Sequence, residues 1–422
     1  EGVRSNSLVD EAILLSCSPE DFVSTTKPSI VVKGREHENR LNPEQQVVDS
    51  YGGRLIFSAG DMSFSSRDLI DQEVSTLGSG ILQIPSDFSR RRSTTSSLLR
   101  DYVDNFRNIR ALVVGDLIVD EYVTTEALGM SGEEPVLVVQ PVDSATFVGG
   151  AGIVAAHLAS LGASVDFISV VGSDQTAEFA RISLERHGVR AHLIEDQARP
   201  TTQKTRFRCE GKSLLRVSKL SREPVSREIA GKIRQLVREI DSADLILFSD
   251  FNYGVLSNIV IDGLFDELRH VGAVLGADSQ SSSQVGDVSR FKGMDFICPT
   301  EREARIATRN SADGLVQLAE AVRAQADASN VILTLGADGL LIHARPNAEL
   351  DWETDQMPAL NQNPVDVAGA GDSLFATVGL CMAVGADIFA AAALGSVASA
   401  IQVDRIGNVP ISAEELKLGL GD

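Results

Sequence analysis

A carboxylate closing a glycine-rich turn at the head of an apolar run is the first feature of this sequence that could do chemistry. It is Asp372, in Asp366-Val367-Ala368-Gly369-Ala370-Gly371-Asp372-Ser373, and the helix-forming run Leu374 to Val384 follows at once. Small residues and paired glycines permit unusual backbone angles and close approach of a ligand. At a helix N-terminus several amide N–H groups lack partners and the dipole is positive, so Gly369, Ala370 and Gly371 would form a cradle for an anion. A phosphoryl group in transfer spreads negative charge over its oxygens, and catalysing that step is mostly positioning and electrostatics. A carboxylate at the mouth of such a cradle can take the proton from an attacking hydroxyl. The same spacing also suits an aspartate that only caps the helix, and local spacing leaves both readings open.

Such a turn needs a scaffold. Ala111-Leu112-Val113-Val114-Gly115 reads as a buried strand, and 165–171, 245–248, 273–277, 296–298 and 331–335 are further core strands. Helical stretches at 151–161, 175–187, 225–240, 257–270, 301–309 and 312–327 separate most of them. This alternation predicts an α/β fold, a mostly parallel sheet with helices on both faces. Ligands then bind at the carboxyl ends of the strands. Val136 to Val139 and Phe207 to Val217 look like strands of a partly exposed sheet. Val378 to Val403 is apolar enough to suggest a membrane span, but Gly385-Ala386-Asp387 interrupts it, so two buried helices meeting at a turn are expected.

The segment Val365 to Asp372 closely resembles the D-[TV]-x-G-A-G-D signature of ribokinase-like (PfkB) sugar kinases, and Val148-Gly149-Gly150-Ala151-Gly152 resembles the family's glycine pair. The subgroup it is most similar to is the heptose 7-phosphate kinases. Val113 to Tyr122, Glu134-Pro135-Val136, Lys204-Thr205-Arg206, Phe248 to Gly254, Asp278 and Pro299 to Glu303 carry that similarity. The resemblance implies a ribokinase-like three-layer fold over 98–422 with a small β-sheet lid from about 117–147 and 204–218. It implies ATP and Mg²⁺, with Asp372 as base and the Gly369–Gly371 amides as anion hole. Asp116 and Asp120 would bond sugar hydroxyls, helped by the Gly149 and Gly150 backbone. Lys204, Arg206 and also Arg216 would meet a phosphate already on the sugar; ordinary solvated strand charge is the alternative. Thr300, Glu301, Arg302, Glu303, Thr334, Gly336, Ala337 and Gly339 would lie along ATP, with Glu303 holding magnesium through water. A plain hairpin turn also explains Gly336 and Gly339. Such lids often pair between subunits, which implies a homodimer.

Three places in the sequence depart from the family pattern. Thr300 stands where Asn is usual, Ile153 where an Asn touches the sugar, and Asp278-Ser279-Gln280 where the heptose kinases carry Asp-Pro-Lys. These leave the Asp372 chemistry in place and bear on the substrate; a catalytically weak nucleotide- or sugar-binding relative is the alternative reading.

Residues 1–74 read as a strand–helix–strand fragment: Ile30 to Gly34, Pro43 to Tyr51, Arg54 to Phe57. Lys27 to Gly34 and Phe64 to Ile70 are similar to the closing half of the nucleotidyltransferase that partners the heptose kinase. None of the six histidines, His37, His157, His187, His192, His270 and His343, sits in that family's His-x-Gly-His turn, so no nucleotidyl transfer is expected. Residues 75–97 look like a linker, with Arg90-Arg91-Arg92 as solvated charge.

Composition narrows the partners. Of 422 residues, 59 are acidic and 38 basic, a net charge of −21, which repels nucleic acid and anionic membranes. The four cysteines form no CxxC pair, which argues for a reducing, cytoplasmic setting and against a structural zinc site. Glu1 to Asp10 is polar and mixed in charge, unlike a signal peptide.

Overall fold

The computed structural model describes residues 13, 15, 18–34, 42–58, 82–209, 212–240, 242–268, 272–281, 286–345 and 353–421. Cys17, His37, His270, the Phe64 to Ile70 motif and residues 75–81 of the expected linker lie outside the described residues. The chain divides into two compact units, Glu1–Gly80 and Ile81–Asp422.

In the first unit, strands β1 (Ile30–Gly34) and β2 (Arg54–Ser58) pair in parallel, with helices at Pro19–Thr26 and Pro43–Ser50. Pro43 opens its helix at a position where the missing N–H costs nothing. Lys33 Nζ reaches Glu44 at 2.9 Å. Among the described residues of this unit Val23 and Val48 are the buried apolar side chains, while Ile30 and Val32 on the strand stay exposed.

The second unit is built on a nine-stranded sheet and a four-stranded one. Strands β3 (Arg110–Gly115), β6 (Ser164–Val171), β7 (Arg190–Glu195), β10 (Leu245–Asp250), β11 (Val274–Ser279), β12 (Phe296–Ile297), β13 (Asn330–Thr334), β14 (Leu340–Ala344) and β15 (Glu353–Met357) make the large sheet. Its order is β15-β14-β13-β12-β11-β10-β3-β6-β7, parallel from β7 to β13, then antiparallel through β14 and β15. The central strands are buried on both faces, as a parallel sheet covered by helices requires. Two hydrophobic clusters fill the two sides, one around Val113, Phe167 and Leu247, the other around Leu112, Ile246 and Phe248. The carboxyl ends of β3, β10, β11 and β13 bring Asp116, Asp250, Gln280 and Thr334 to one edge.

The smaller sheet is the lid: β4 (Leu117–Met130), β5 (Leu137–Gly150), β8 (Gln203–Cys209) and β9 (Lys212–Lys219) in the order β5-β4-β8-β9. Strand β4 follows β3 directly, so its first residues, Leu117 to Asp120, are buried and those from Glu126 on are exposed. Val142 and Leu215, on β5 and β9, stand more than half exposed.

The run Val378 to Val403 forms two buried helices, Ala370–Ala383 and Ile388–Gln402, with Gly385 at φ 91° between them. Among the described residues no helix is long and apolar enough to cross a membrane.

Part of the expected linker is structured. Ser86–Arg92 and Ser96–Asn105 are helices whose Phe88, Leu99 and Val103 are buried in the main core. Burying such a side chain contributes roughly 1.5–3 kcal/mol. The arginine triplet is not simply solvated: Arg91 and Arg92 both bond Asp355 at 2.8 and 2.7 Å, and Arg92 lies 3.5 Å over the Phe389 ring. A helix this short shows no apolar period, so a charged sequence with one inward Phe reads as linker.

Candidate active site

A cleft of about 550 Å³ opens at the carboxyl edge of the large sheet, under the lid. Gly369, Ala370, Gly371 and Asp372 line it at the N-terminus of the Ala370–Ala383 helix. Gly369 sits in the left-handed region at φ 79°, and a Cβ there would stand 2.7 Å from Asn408 Oδ1, so glycine is required on two counts. The Ala370 amide donates only at 3.5 Å, to the Val367 carbonyl, and the first residues of the helix, with no full turn before them, line the cleft, a place suited to an anion. Behind them Leu374, Phe375 and Val378 pack in the core and fix the helix.

Asp372 is 7% exposed. Its Oδ1 accepts a hydrogen bond of 3.1 Å from Gln280 Nε2, which also reaches Asp278 Oδ2 at 3.4 Å. Burial, then the charge of Asp120, pushes the Asp372 carboxyl up to about 7, against the pull of Lys204 and Gln280. Burial also raises Asp278 well above the usual range, with Glu303 and Asp372 adding to it. A base with a pKa near working pH is matched to accepting a proton during transfer.

The lid supplies the opposite wall. Asp120, Lys204, Arg206 and Arg216 line the cleft with Ile118 and Gly150. Arg206 Nη2 lies 3.5 Å from Asp120 Oδ1, Asn408 Nδ2 donates to Asp120 Oδ2 at 3.2 Å, and Lys204 Nζ stands 5.2 Å from the Phe251 and Tyr253 rings. Burial raises the Asp120 carboxyl although three cations oppose it. Gly149 lies behind that carboxylate, where a Cβ would land on Asp120 Oδ2.

The residues expected along ATP divide. Thr300, Glu303, Thr334, Gly336, Ala337 and Gly339 line the cleft. Gly336 and Gly339 are also the hairpin between β13 and β14. Glu301 and Arg302 do not line it: Glu301 pairs with Arg305 at 2.8 Å and Arg302 is exposed. Both are on the outer side of the helix that Thr300 and Glu303 cap. Glu303 spends both oxygens on backbone amides, Ser281 at 2.6 Å and Thr300 at 2.8 Å. Among the described residues no three His, Cys, Asp or Glu side chains converge as metal ligands. An all-protein magnesium cage does not fit; an ion carried by phosphates and held through water does.

Asp116 departs from its expected place. Its Oδ2 accepts from the Phe251 and Tyr253 amides at 2.8 and 3.1 Å and its Oδ1 from Val255 at 3.1 Å. It lies 1% exposed, outside the cleft lining, and burial, then Asp250, raises its carboxyl to about 6. Three amide donors on a carboxylate with about four acceptor sites latch the 251–255 loop, and Asp116 is turned away from the cleft lining. Sequence reasoning gave Gln280 no contact and passed over Asn408. The strand-end rule points to Gln280, one residue past β11; no local signal marks Asn408.

A family model described as pfkB family carbohydrate kinase matches residues 108–414. The chain belongs to that family. It is a carbohydrate kinase of ribokinase-like fold. Relatives named bifunctional protein HldE are similar to it: that of Desulfatibacillum aliphaticivorans is 32% identical over 76% of this chain and 65% of its own length. That of Bradyrhizobium diazoefficiens is 32% identical over 72% and 62%. The chain thus spans under two thirds of these relatives. Among solved structures, Arabidopsis thaliana ribokinase complexed with ribose and ATP matches with TM-score 0.59 at 18% identity, covering 74% of this chain and 99% of that one. Escherichia coli phosphofructokinase-2 in complex with potassium gives 0.61 at 17%, covering 73% and 97%.

Proposed function

We propose that this PfkB-family kinase transfers the γ-phosphoryl group of ATP to a sugar phosphate, with D-glycero-D-manno-heptose 7-phosphate as acceptor and its anomeric hydroxyl as the site. The observation that carries the reading is one cleft holding Asp372 at an amide cradle and three lid cations, Lys204, Arg206 and Arg216, opposite it. A neutral polyol does not call for three cations; an acceptor that already bears a phosphate does. The relatives named HldE support the heptose.

In this reading Asp372 takes the proton of the acceptor hydroxyl, while the Gly369–Gly371 amides hold charge on the transferring group. Asp120 and the Gly150 backbone orient sugar hydroxyls. Thr300, Thr334 and the Gly336–Gly339 turn flank the nucleotide, and Glu303 holds magnesium through water. Magnesium, once bound, would offset charge on the phosphates. The exposed apolar side chains of β5 and β9 suit pairing of two lids in a homodimer. Free Cys209, Cys298 and Cys381 suit a cytoplasmic setting.

An ATP-consumption assay over heptose, hexose and pentose phosphates tests it, with Asp372→Asn as control. Turnover highest on heptose 7-phosphate and lost in the variant is expected. Undiminished turnover in the variant removes the mechanism, and a preference for an unphosphorylated sugar removes the substrate.

A further inference from the structure

Strand β4 carries Tyr122 two residues past Asp120, and its hydroxyl lies between the lid and the glycine turn. Arg206 Nη1, on β8, donates to the Tyr122 oxygen at 2.5 Å, and the Tyr122 hydroxyl donates to Asp366 Oδ2 at 3.1 Å. Asp366 opens the turn that ends in the anion cradle. Its Oδ1 accepts from the Ala368 amide at 3.1 Å and its Oδ2 from the Gly407 amide at 3.2 Å. Four groups are thereby joined in one series: guanidinium, phenol, carboxylate, turn amide.

The directions of these bonds are forced. Arginine can only donate, and the phenol has a single hydrogen, so once Arg206 occupies the oxygen that hydrogen must go to Asp366. Burial keeps the phenol protonated far above its ordinary range. Bonds in such a series polarise one another. The Tyr122 ring is fixed by its edge-to-face contact with Phe147, 5.5 Å between centroids, and Arg206 lies 5.1 Å over its centroid.

We infer that Tyr122 is a positioning residue that couples capture of the acceptor by the lid to assembly of the anion cradle. The inference rests on the reading that Arg206 meets the acceptor's phosphate. Arg206 holds Asp120 only loosely, at 3.5 Å, and has donors enough to grip a phosphate while keeping Nη1 on Tyr122. With the phosphate seated, β4 and β8 are held down, Tyr122 stays on Asp366, and the Val367–Gly369 turn keeps its shape. With the lid lifted, Tyr122 leaves Asp366 and the turn loses one of its ties. Cradle and acceptor are then completed together, which limits transfer to water.

Tyr122→Phe removes the hydroxyl and keeps the ring contacts. It is expected to lower kcat for the sugar phosphate about tenfold with the acceptor KM within about twofold. Its kcat within twofold of the parent would overturn the inference, as would equal losses accompanied by unfolding. A second measurement needs no turnover: hydrogen–deuterium exchange of the full chain with heptose 7-phosphate added and no ATP. In the parent, β4, β8 and residues 366–371 should all gain protection; in Tyr122→Phe the lid should gain it and 366–371 should not. Protection of 366–371 in the variant, or of the lid alone in the parent, sinks the coupling and leaves the proposed function standing. No protection of the lid in either protein sinks the acceptor reading, and the coupling with it.

Discussion

Asp116 and Asp372 are both buried aspartates at the carboxyl edge of the same sheet, and both have raised pKa values, yet their hydrogen bonds differ. Asp116 gives its oxygens to three backbone amides and ties a loop down. Asp372 accepts from one side chain, Gln280, and lines the cleft. Burial therefore does not distinguish a carboxylate proposed to work as a base from one that holds a loop. What distinguishes them is whether the lone pairs are already taken.

The sharpest way to break this contrast is to neutralise each residue in turn. Asp372→Asn should lower kcat by about 10²–10⁴-fold, the range lost with a general base, while urea denaturation shows no loss of stability. Asp116→Ala should do the reverse. It strands three buried amides at about 1–3 kcal/mol each, so unfolding moves to lower urea by about 3 kcal/mol or more, and the folded protein keeps most of its kcat. If Asp116→Ala abolished turnover in a protein of unchanged stability, Asp116 would belong to the site after all.

Gly369→Ala tests the cradle without touching the base. A left-handed alanine costs about 1–2 kcal/mol, and its methyl displaces Asn408, so kcat should fall about tenfold with little change in binding of the acceptor.

Acidity sharpens the comparison further. The base works ionised, so kcat should rise with pH through an acid limb near 7, the Asp372 value. Stability runs the other way. Because the folded pKa lies above the unfolded one, Asp372 contributes stability fully present below about pH 4, lost as pH climbs through about 7. Asp372→Asn should flatten that part of the stability profile. An acid limb unmoved from the ordinary carboxylate range would detach the rate from this residue. The smallest effect is expected at Thr300→Ala, which removes one helix cap, about 1 kcal/mol in thermal or urea unfolding, with a modest rise in KM for ATP.

Much of this was legible in the sequence. Runs such as Ala111 to Gly115 and Leu245 to Phe248 are buried on both faces, so continuous apolarity gave them away. The glycine turn was legible because a left-handed backbone at a helix start leaves few residue choices. Edge strands β7 and β15 were not, because Arg190 to Glu195 and Glu353 to Met357 are polar at half their positions or more and carry no continuous apolar run. The roles of Asp116 and Asn408 were illegible for another reason. Each depends on partners more than a hundred residues away, Phe251 for one and Asp120 for the other, and spacing along the chain says nothing of them.

The arginine clamp on Asp355 has a practical consequence. Leu82 bonds the Gly419 carbonyl at 2.8 Å and Ser96 the Leu420 carbonyl at 3.2 Å, so the stretch from 82 to 96 is stapled at its start, middle and end. A protein chemist trimming the molecule to its kinase unit should cut ahead of Leu82. A cut just ahead of Asn108, where the family match begins, would discard Phe88 and Leu99 and expose the apolar wall they cover.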